Sequence, residues 1–537
     1  GRWSMRKSTP ETVVLDGESL TVEDVVAVAR DDAPVELADD ARTSIRASRE
    51  RIEDIVEKGD PVYGVNTGFG ELVDTHIPRE KVEGLQTNLV RSHAAGAGRE
   101  LSREEVRSML LTRVNALAKG YSGIRAVVVD HLVTMLNEGV HPVVKSRGSL
   151  GASGDLAPLA HMALVLLGEG EADVVDENGE AERLPGDEAL AAAGLEPLTL
   201  KAKEGLALIN GTQLSVGLAA MVVTDAERIL RAADAAGALT TEVTMGTTAS
   251  CDPAIHAARP HAGQQATARN VKRLCEGSEI VESHRNCDRV QDAYALRCIP
   301  QVHGAVRDAV AHLREAVDVE LNSATDNPLV FPREQVDERA SGTDVGAVIS
   351  GGNFHGEPLA LRLDYVVNAL TELAAISERR VDRMVNPNLQ EPHLPPFLTE
   401  DSGFQSGYMI PQYTAAALLN ECRSEGRPSM DSTPVSGGQE DHVSMSATSA
   451  FAARRVTERV RTVVAVELLC AAQAAEFVDE ELAHAPGTGA VYETVREVVP
   501  PLVDDRPPHP DIEAVATVVA EGLLDERLDS VLAESLE

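Results

Sequence analysis

The most constraining feature of this sequence is a long stretch without helix-breaking residues. Residues 441–485 contain neither glycine nor proline. We predict one helix over residues 441–483, which at 1.5 Å per residue would exceed roughly 60 Å. Helices of this length usually pack side by side in bundles, often across subunits. The stretch therefore favours an elongated helical bundle.

The composition supports packed helices elsewhere in the chain. Aromatic residues make up only 3% of the 537 residues against 43% hydrophobic residues, so the core must consist mainly of Ala, Val and Leu. Apolar spacing predicts further helices over residues 22–29, 43–56, 81–90, 102–115, 124–137, 155–167, 212–239, 302–321, 355–384 and 409–422. We predict a mainly α-helical fold with an N-terminal head region (1–211) and an elongated helical-bundle domain (212–537).

The charge balance excludes several classes of partner. The formal net charge is -37, with 86 acidic against 49 basic residues, which excludes binding to a nucleic-acid backbone. A surface this acidic repels itself at low salt, so we expect a salt-rich cytoplasm that screens it. No basic N-terminal start precedes an apolar segment and no apolar run approaches a membrane span, so neither a signal peptide nor a membrane partner is expected.

The cysteines do not form a metal-binding pattern. The six cysteines are few and irregularly spaced, which predicts reduced thiols. Cys275, His284, Cys287 and Cys298 lie near one another, but only the spacing of His284 and Cys287 is typical of metal ligands. We therefore expect no metal site.

A short stretch of small residues carries the strongest chemical signal. Ala152, Ser153 and Gly154 directly precede a predicted helix for which Asp155 is a suitable N-cap. Without bulky neighbours, the amide nitrogen of Gly154 can attack the carbonyl carbon of Ala152, and Ser153 can then lose water to leave an exocyclic methylene. The product is an electrophilic five-membered ring made without an added cofactor. The alternative is an ordinary glycine-rich turn before a helix.

Residues 148–161 resemble the prosthetic-group loop of the aromatic amino acid ammonia-lyases, which carry 4-methylidene-imidazol-5-one (MIO). Matching strings follow in order over residues 62–485, including residues 322–328 and 350–355. The resemblance implies an MIO group formed from Ala152-Ser153-Gly154. It also implies a homotetramer whose active sites draw residues from more than one subunit.

The resemblance assigns roles to further residues. Tyr63, in a glycine-rich loop over residues 63–70, matches the family's proposed catalytic base; because tyrosine titrates near 10, that role needs a site favouring the phenolate. Asn210 matches the asparagine that contacts the ring, and Phe354 matches the phenylalanine that flanks it. Their alternatives are a core-packing tyrosine, a capping asparagine and a core phenylalanine.

Gln291, Tyr294 and Arg297 match a polar triad of the same family, and their spacing of three places them on one face of a helix or turn. Tyr294 is a second candidate for the catalytic tyrosine. The planar guanidinium of Arg297 can pair with both oxygens of a substrate carboxylate. An interior salt bridge between Arg297 and Asp292 is the alternative.

Two positions predict the substrate. His93 stands where phenylalanine-specific relatives carry apolar residues, and Glu440 stands where those relatives lack an acidic pair. A buried Glu440 and His93 could satisfy the two ring nitrogens of an imidazole, which a phenyl ring would leave unpaired. We therefore expect conversion of L-histidine to trans-urocanate and ammonia.

Each of these two residues also has an ordinary structural interpretation. His93 alone would suit a satisfied core histidine, and Glu440 alone a carboxylate at a helix N-terminus. Other activities also stay open: a lyase or aminomutase of the same family acting on tyrosine or phenylalanine, or an inactive helical scaffold with an unprocessed loop.

Overall fold

The computed structural model describes residues 10–69, 72–284 and 291–537. The chain divides into two compact units, each built from segments that are not contiguous in sequence. The first unit comprises Gly1–Met221, Arg314–Leu363 and Arg427–Phe451; the second comprises Val222–Leu313, Asp364–Gly426 and Ala452–Glu537. The division of the chain at residue 211 stays a prediction.

Helices dominate the described residues, and the predicted mainly α-helical fold is confirmed. The helices within the first unit are α1 (Val22–Asp31), α2 (Asp39–Lys58), α3 (Val82–His93), α4 (Arg103–Ala118), α5 (Ala126–Asn137), α6 (Leu156–Leu166), α7 (Gly186–Ala192) and α8 (Glu204–Ile209). Those within the second unit are α10 (Pro253–Ala258), α11 (Ala262–Cys275), α12 (Glu279–Glu282), α13 (Tyr294–Arg297), α16 (Met409–Ser424), α18 (Pro486–Val498), α19 (His509–Ala520) and α20 (Leu523–Val531). A unit boundary falls inside α9 (Gln213–Val243), α14 (Ile299–Glu320), α15 (Glu357–Val385) and α17 (Ser446–Ala475). Within the described residues, no helix is long and apolar enough to cross a bilayer.

Short strands supplement the helices of the first unit. They are β1 (Val13–Leu15), β2 (Val35–Leu37), β3 (Ala97–Glu100), β4 (Val140–Pro142), β5 (Lys145–Arg147), β6 (Glu171–Val175), β7 (Ala181–Pro185), β8 (Leu329–Pro332), β9 (Ser341–Gly342) and β10 (Gly346–Ile349). β1 pairs with β2 in parallel; the antiparallel sheets are β3-β5, β4-β6-β7 and β8-β10-β9. The acidic segment after α6 is thus a hairpin of β6 and β7 added to β4.

Helix α4 forms the interior of the first unit. Ser102 and Glu105 make a reciprocal capping box at its start, which satisfies main-chain amides that have no intrahelical partner. Every residue from Glu105 to its end at Ala118 is buried. The helix therefore carries charged side chains into the core, where each must find a partner.

The long helix predicted over residues 441–483 is shorter than expected. α17 spans 30 residues, Ser446–Ala475, or about 45 Å. Met445 has a left-handed φ of 59°, and its main-chain nitrogen donates to the carbonyl oxygen of Leu150 at 2.8 Å, so residues 441–445 form a loop. At the other end, the main-chain nitrogens of Glu476 and Phe477 donate to the carbonyl oxygens of Gln473 and Ala474, three residues back, so the helix closes in a tighter turn.

The described cysteines are free: Cys251, Cys275, Cys298, Cys422 and Cys470. Cys287, which belongs to the cysteine and histidine group considered above, lies outside the described residues. The expectation that this group does not bind a metal ion therefore still rests on its spacing in the sequence.

Candidate active site

Glycines shape the loop that precedes α6. The φ angles of Gly151 and Gly154 are 65° and 76°, in the left-handed region. A Cβ atom on Gly154 would lie 2.1 Å from the carbonyl oxygen of Gly211, and one on Gly151 would lie 2.1 Å from Oγ of Ser444. Only glycine fits at these two positions. The intervening Ala-Ser pair is therefore held between two closely packed points of the backbone.

Asp155 ties this loop to a second helix. It occupies the N-cap position of α6, as predicted, but its carboxylate does not cap that helix. It accepts hydrogen bonds from the main-chain nitrogen of Ser215, in the first turn of α9, at 2.8 Å and from the hydroxyl of Ser149 at 2.6 Å. Complete burial raises the pKa of Asp155, while the bonds from Ser149 and Ser215 oppose that rise.

A polar cavity of about 710 Å³ opens beside the loop, within the range of small-molecule sites. All of its lining residues belong to the first unit. Those predicted from the sequence as site residues are Tyr63, His93, Ala152, Ser153, Asn210, Phe354 and Glu440. Gly154 lies directly behind them, packed on Gly211. The structure thus brings together most of the predicted site.

Glu440 is fixed by its own loop and contacts the central turn. The hydroxyl of Ser153 donates a hydrogen bond to the Glu440 carboxylate. The main-chain groups of Glu440 and Val435 exchange two hydrogen bonds of 3.0 and 3.2 Å, which close the glycine-rich loop between them. Because α17 begins only at Ser446, Glu440 is not a helix N-terminal carboxylate, and that alternative is wrong.

His93 ends α3 beside the same cavity. The Ser92 hydroxyl lies 3.1 Å from the carbonyl oxygen of Leu89 and 3.0 Å from Nδ1 of His93. When the hydroxyl donates to Leu89, Nδ1 carries the imidazole proton and Nε2 is left as an acceptor. Burial lowers the pKa of His93, while the Leu89 carbonyl and the negative charge of Glu440 oppose that shift. The ring is therefore neutral near pH 7.

The surroundings of Tyr63 favour its neutral phenol. Burial raises the pKa of Tyr63, and the negative charges of Glu440 and Asp326 raise it further. Its ring meets Phe69 edge-on, with centroids 6.3 Å apart. The role of a base requires surroundings that favour the phenolate, whereas the described residues around Tyr63 favour the phenol.

Asn210 is held rigidly but keeps one free acceptor. Its side-chain nitrogen donates to the carbonyl oxygen of Asn327 at 2.9 Å. Asn327 in turn accepts from the main-chain nitrogen of Gly351 at 2.7 Å, so the 322–328 and 350–355 strings buttress the site. The buried Oδ1 of Asn210 has no hydrogen-bond partner among the described residues. A buried acceptor of this kind is suited to a ligand or prosthetic group.

The cavity also contains polar residues that sequence reasoning did not select. They are Asp74, Asn327, Ser350, His355, Ser436, Gln439, Asp441 and His442. Several of them lie inside the strings that match the family, and this position could have identified them from the sequence. Asp74 lies in no such string.

Three side chains of the types that bind metal ions lie close together beside this cavity. Donor atoms of His355, Glu357 and His442 lie within 4.8 Å of one another. Both ring nitrogens of His355 already meet main-chain groups, the carbonyl of His442 and the amide of Glu357, each at 3.2 Å. The group is therefore not poised for a metal ion.

The remaining predicted residues lie in the second unit and cluster with one another. Arg297 Nη1 donates to Oε1 of Gln291 at 2.5 Å, and the Arg297 guanidinium lies 5.9 Å from the ring centroid of Tyr294. Tyr294 is 74% exposed, so this cluster faces outward from its unit. Asp292, the alternative partner of Arg297, accepts from the main-chain nitrogen of Thr247 at 2.8 Å.

A mainly α-helical fold with a polar cavity beside a tightly packed Ala-Ser-Gly turn fits a carbon–nitrogen lyase. Residues 20–497 match the model of the aromatic amino acid lyase family, and the chain belongs to this family.

Sequence and structure comparisons agree with that assignment. The chain is 63% identical over 524 residues to a probable histidine ammonia-lyase from Halobacterium salinarum, covering 98% of this chain and 99% of the relative. A histidine ammonia-lyase from Trypanosoma cruzi superimposes with a TM-score of 0.88 at 40% identity, over 97% of this chain and 96% of the other. A tyrosine aminomutase from Streptomyces globisporus gives 0.89 at 39% identity, over 98% and 100%.

Proposed function

We propose that the chain is a carbon–nitrogen lyase that converts L-histidine to trans-urocanate and ammonia. This reaction is the first step of histidine degradation. The observation that carries the proposal is the cavity in which His93 and Glu440 face the same space as Ala152 and Ser153. The relative at 63% identity supports it, because its name gives histidine as the substrate.

The electrophile is an MIO group formed from Ala152, Ser153 and Gly154, with no added cofactor. Two observations support the fit of that group: the close packing of Gly154 on Gly211, and the unpartnered buried Oδ1 of Asn210. Asn210 would hold the group and Phe354 would flank it. When present, the group supplies an electrophilic carbon that converts the substrate amine into a better leaving group.

The chain's own residues supply binding, charge stabilisation and proton transfer. Nε2 of His93 accepts the ring N–H of a neutral imidazole, and the carboxylate of Glu440 can accept from an imidazolium. The N-terminus of α6 directly follows the loop, and its main-chain amides stabilise negative charge that develops there. Tyr63, neutral in these surroundings, can donate a proton, and it acts as base only after losing its own.

Gln291, Tyr294 and Arg297 bind the substrate carboxylate from another subunit of a homotetramer. Support comes from their matching family string and from their outward-facing cluster, in which Arg297 keeps a planar fork suited to two carboxylate oxygens. Tyr294 stands as a second proton-transfer group in that assembly.

We place the enzyme in a salt-rich cytoplasm. The net charge of -37 supports this, because counterions must screen so acidic a surface.

A lyase or aminomutase acting on tyrosine or phenylalanine is the second candidate. The superposition on a tyrosine aminomutase favours it. His93 and Glu440 oppose a phenylalanine substrate, because a phenyl ring offers neither side chain a hydrogen bond.

The test combines an assay with a mass measurement. Protein purified in concentrated KCl is given L-histidine, L-tyrosine and L-phenylalanine in parallel, and ultraviolet absorbance follows urocanate or cinnamate-type products. Intact mass reports ring formation, which removes two waters per chain. Ser153→Ala is the control, because it keeps the loop but cannot lose the hydroxyl group.

We expect urocanate from histidine, the two-water loss in the wild-type chain and neither in Ser153→Ala. Activity retained by Ser153→Ala, or a wild-type mass without the loss, contradicts the proposed electrophile. Products from tyrosine or phenylalanine alone would contradict the proposed substrate.

A further inference from the structure

Arg113 is a buried arginine directed at the main chain beside the Ala-Ser-Gly turn. It lies in α4, its side chain is completely buried, and Nη1 donates to the carbonyl oxygen of Asn210 at 2.6 Å. Its Nε and Nη2 have no hydrogen-bond partner among the described residues. Removing a guanidinium from water is costly, so a purely structural role accounts poorly for a cation with so few bonds.

Arg107, a second buried arginine of α4, provides a comparison because it has several hydrogen-bond partners. Arg107 donates to the carbonyl oxygens of Val28 and Leu136 at 2.8 and 2.9 Å. Its Nη1 also lies 3.0 Å from Nε2 of His141, and its Nε lies 3.2 Å from the carboxylate of Asp32. Arg107 therefore connects separate segments of the fold. The guanidinium of Arg113, in contrast, donates to the Asn210–Gly211 peptide group.

The Asn210–Gly211 peptide group lies against the Ala-Ser-Gly turn. Gly154 packs so closely on Gly211 that a Cβ on Gly154 would lie 2.6 Å from the Gly211 main-chain nitrogen, which belongs to this peptide group. The Asp155 main-chain nitrogen also donates to the Gly211 carbonyl oxygen at 2.7 Å. Arg113 lies close behind, since a Cβ on Gly211 would be 3.0 Å from its Nη1. The Asn210–Gly211 peptide is thus held between Arg113 and Gly154.

Arg113 stays charged in this position. Burial lowers its pKa to about 10, and the negative charge of Asp326 opposes that shift. Asp326 also forms a buried ion pair with Lys203 at 2.7 Å. A protonated guanidinium makes a shorter and stronger hydrogen bond than a neutral donor, so the Asn210 carbonyl is held firmly.

We propose that Arg113 is a positioning residue for ring closure within Ala152-Ser153-Gly154, an inference that rests on the proposed function. It holds the Asn210–Gly211 peptide as a rigid backing for Gly154, so that the amide nitrogen of Gly154 stays close to the carbonyl carbon of Ala152. Pre-arranged reacting atoms need less entropy loss to react.

The closure itself balances without any co-reactant. The nitrogen of Gly154 bonds to the carbonyl carbon of Ala152, and the Ala152 oxygen leaves as water with the amide protons of Gly154 and Ser153. Ser153 then loses its hydroxyl group and its α proton as a second water. No oxidant or reductant is needed.

The experiment follows ring closure directly rather than through activity. Arg113→Met, Arg113→Lys and the control Arg107→Met are expressed, protein synthesis is stopped, and intact mass is recorded at intervals to give the fraction of chains lacking two waters. Urea unfolding of the same samples gives their stabilities.

We expect Arg113→Met to slow ring closure by about 10- to 100-fold, as loss of one charge-assisted hydrogen bond predicts. Arg113→Lys keeps the cation on a differently shaped side chain and should close at an intermediate rate. Arg107→Met should be destabilised but should close at the wild-type rate.

Closure at the wild-type rate in Arg113→Met overturns the inference, as does equal slowing in Arg107→Met. If Arg113→Met does not fold, Arg113→Lys decides, because a wild-type rate in that variant also overturns it. A wild-type chain that never loses two waters contradicts the proposed function itself, whereas full closure in both wild type and Arg113→Met contradicts this inference alone.

Discussion

The carboxylate of Glu440 opposes ionisation of Tyr63 across the candidate cavity. Its negative charge adds to burial in raising the pKa of the phenol, while the same charge opposes the fall in the pKa of His93. One carboxylate therefore keeps a proton on the tyrosine and favours a proton on the histidine. A cationic partner near Tyr63, such as a protonated substrate amine, would offset this effect.

Removing the hydroxyl of Tyr63 should stop turnover without stopping ring formation. We expect Tyr63→Phe to lower kcat on L-histidine by about 100-fold or more, because a positioned proton-transfer group contributes that much. Intact mass should still show the two-water loss. Tyr121→Phe is the matched control, since Tyr121 packs on Phe331 with ring centroids 5.4 Å apart and does not line the cavity. Wild-type kcat in Tyr63→Phe would remove this residue from the chemistry.

Neutralising Glu440 should harm histidine selectively. We expect Glu440→Gln to lower kcat/KM for L-histidine by about 10- to 100-fold, because a charged hydrogen bond to the imidazole is lost. Turnover of L-phenylalanine, measured in parallel, should fall less. Glu50→Gln changes an exposed carboxylate of α2 and serves as the control. An equal loss on both substrates would make Glu440 a structural residue.

His141 should make the fold sensitive to acid. Burial and then the positive charges of Arg107 and Arg103 lower the pKa of His141 to about 3. In the unfolded chain the same ring takes up a proton below about pH 6.5. The unfolded state therefore binds more protons between about pH 6.5 and 3, and the free energy of unfolding falls through that window by up to about 1.4 kcal/mol per pH unit.

Urea unfolding of His141→Gln at pH 7, 6 and 5 checks this expectation. The variant should lose less stability per pH unit than the wild-type chain, whatever its stability at pH 7. His261→Gln, which changes an exposed histidine, should keep the wild-type slope. Identical slopes in wild type and His141→Gln would show that His141 is protonated alike in both states.

Salt should stabilise the protein by screening its charge. At a net charge of -37 the folded surface repels itself, and the screening length falls from about 10 Å at 0.1 M salt to about 3 Å at 1 M. We expect the unfolding temperature to rise by roughly 5 °C or more between these concentrations of KCl. NaCl at the same concentrations should reproduce the gain, because screening depends on ionic strength and not on which monovalent salt supplies it.

The sequence predicts the long helices well because their apolar spacing is local information. It fails where a distant contact decides. Nothing near Met445 shows that its amide will bond to Leu150, and this bond helps to delay the start of α17 to Ser446, beyond the predicted start at residue 441. In the same way, Asp155 stands at the N-cap position of its own helix, but its carboxylate accepts a hydrogen bond from the main-chain nitrogen of Ser215 instead.

The candidate site shows the same division. The residue types at Tyr63 and Glu440 could be selected from matching strings, but their mutual influence depends on a fold that places residues far apart in sequence in one cavity. The role of Arg113 was invisible in sequence because an arginine within a helix predicts a solvated side chain, and only burial reveals its single directed bond.

The first unit is assembled from three separated segments, the last of which, Arg427–Phe451, carries Glu440 and Ser444. A nascent chain that has left the ribosome only as far as residue 426 has already exposed the Ala-Ser-Gly turn but lacks the wall against which Gly151 packs. The Ala-Ser-Gly turn therefore packs against a segment of the chain that is synthesised late. The cavity becomes complete only when most of the chain has been synthesised, and an N-terminal fragment that ends before Glu440 lacks part of its lining.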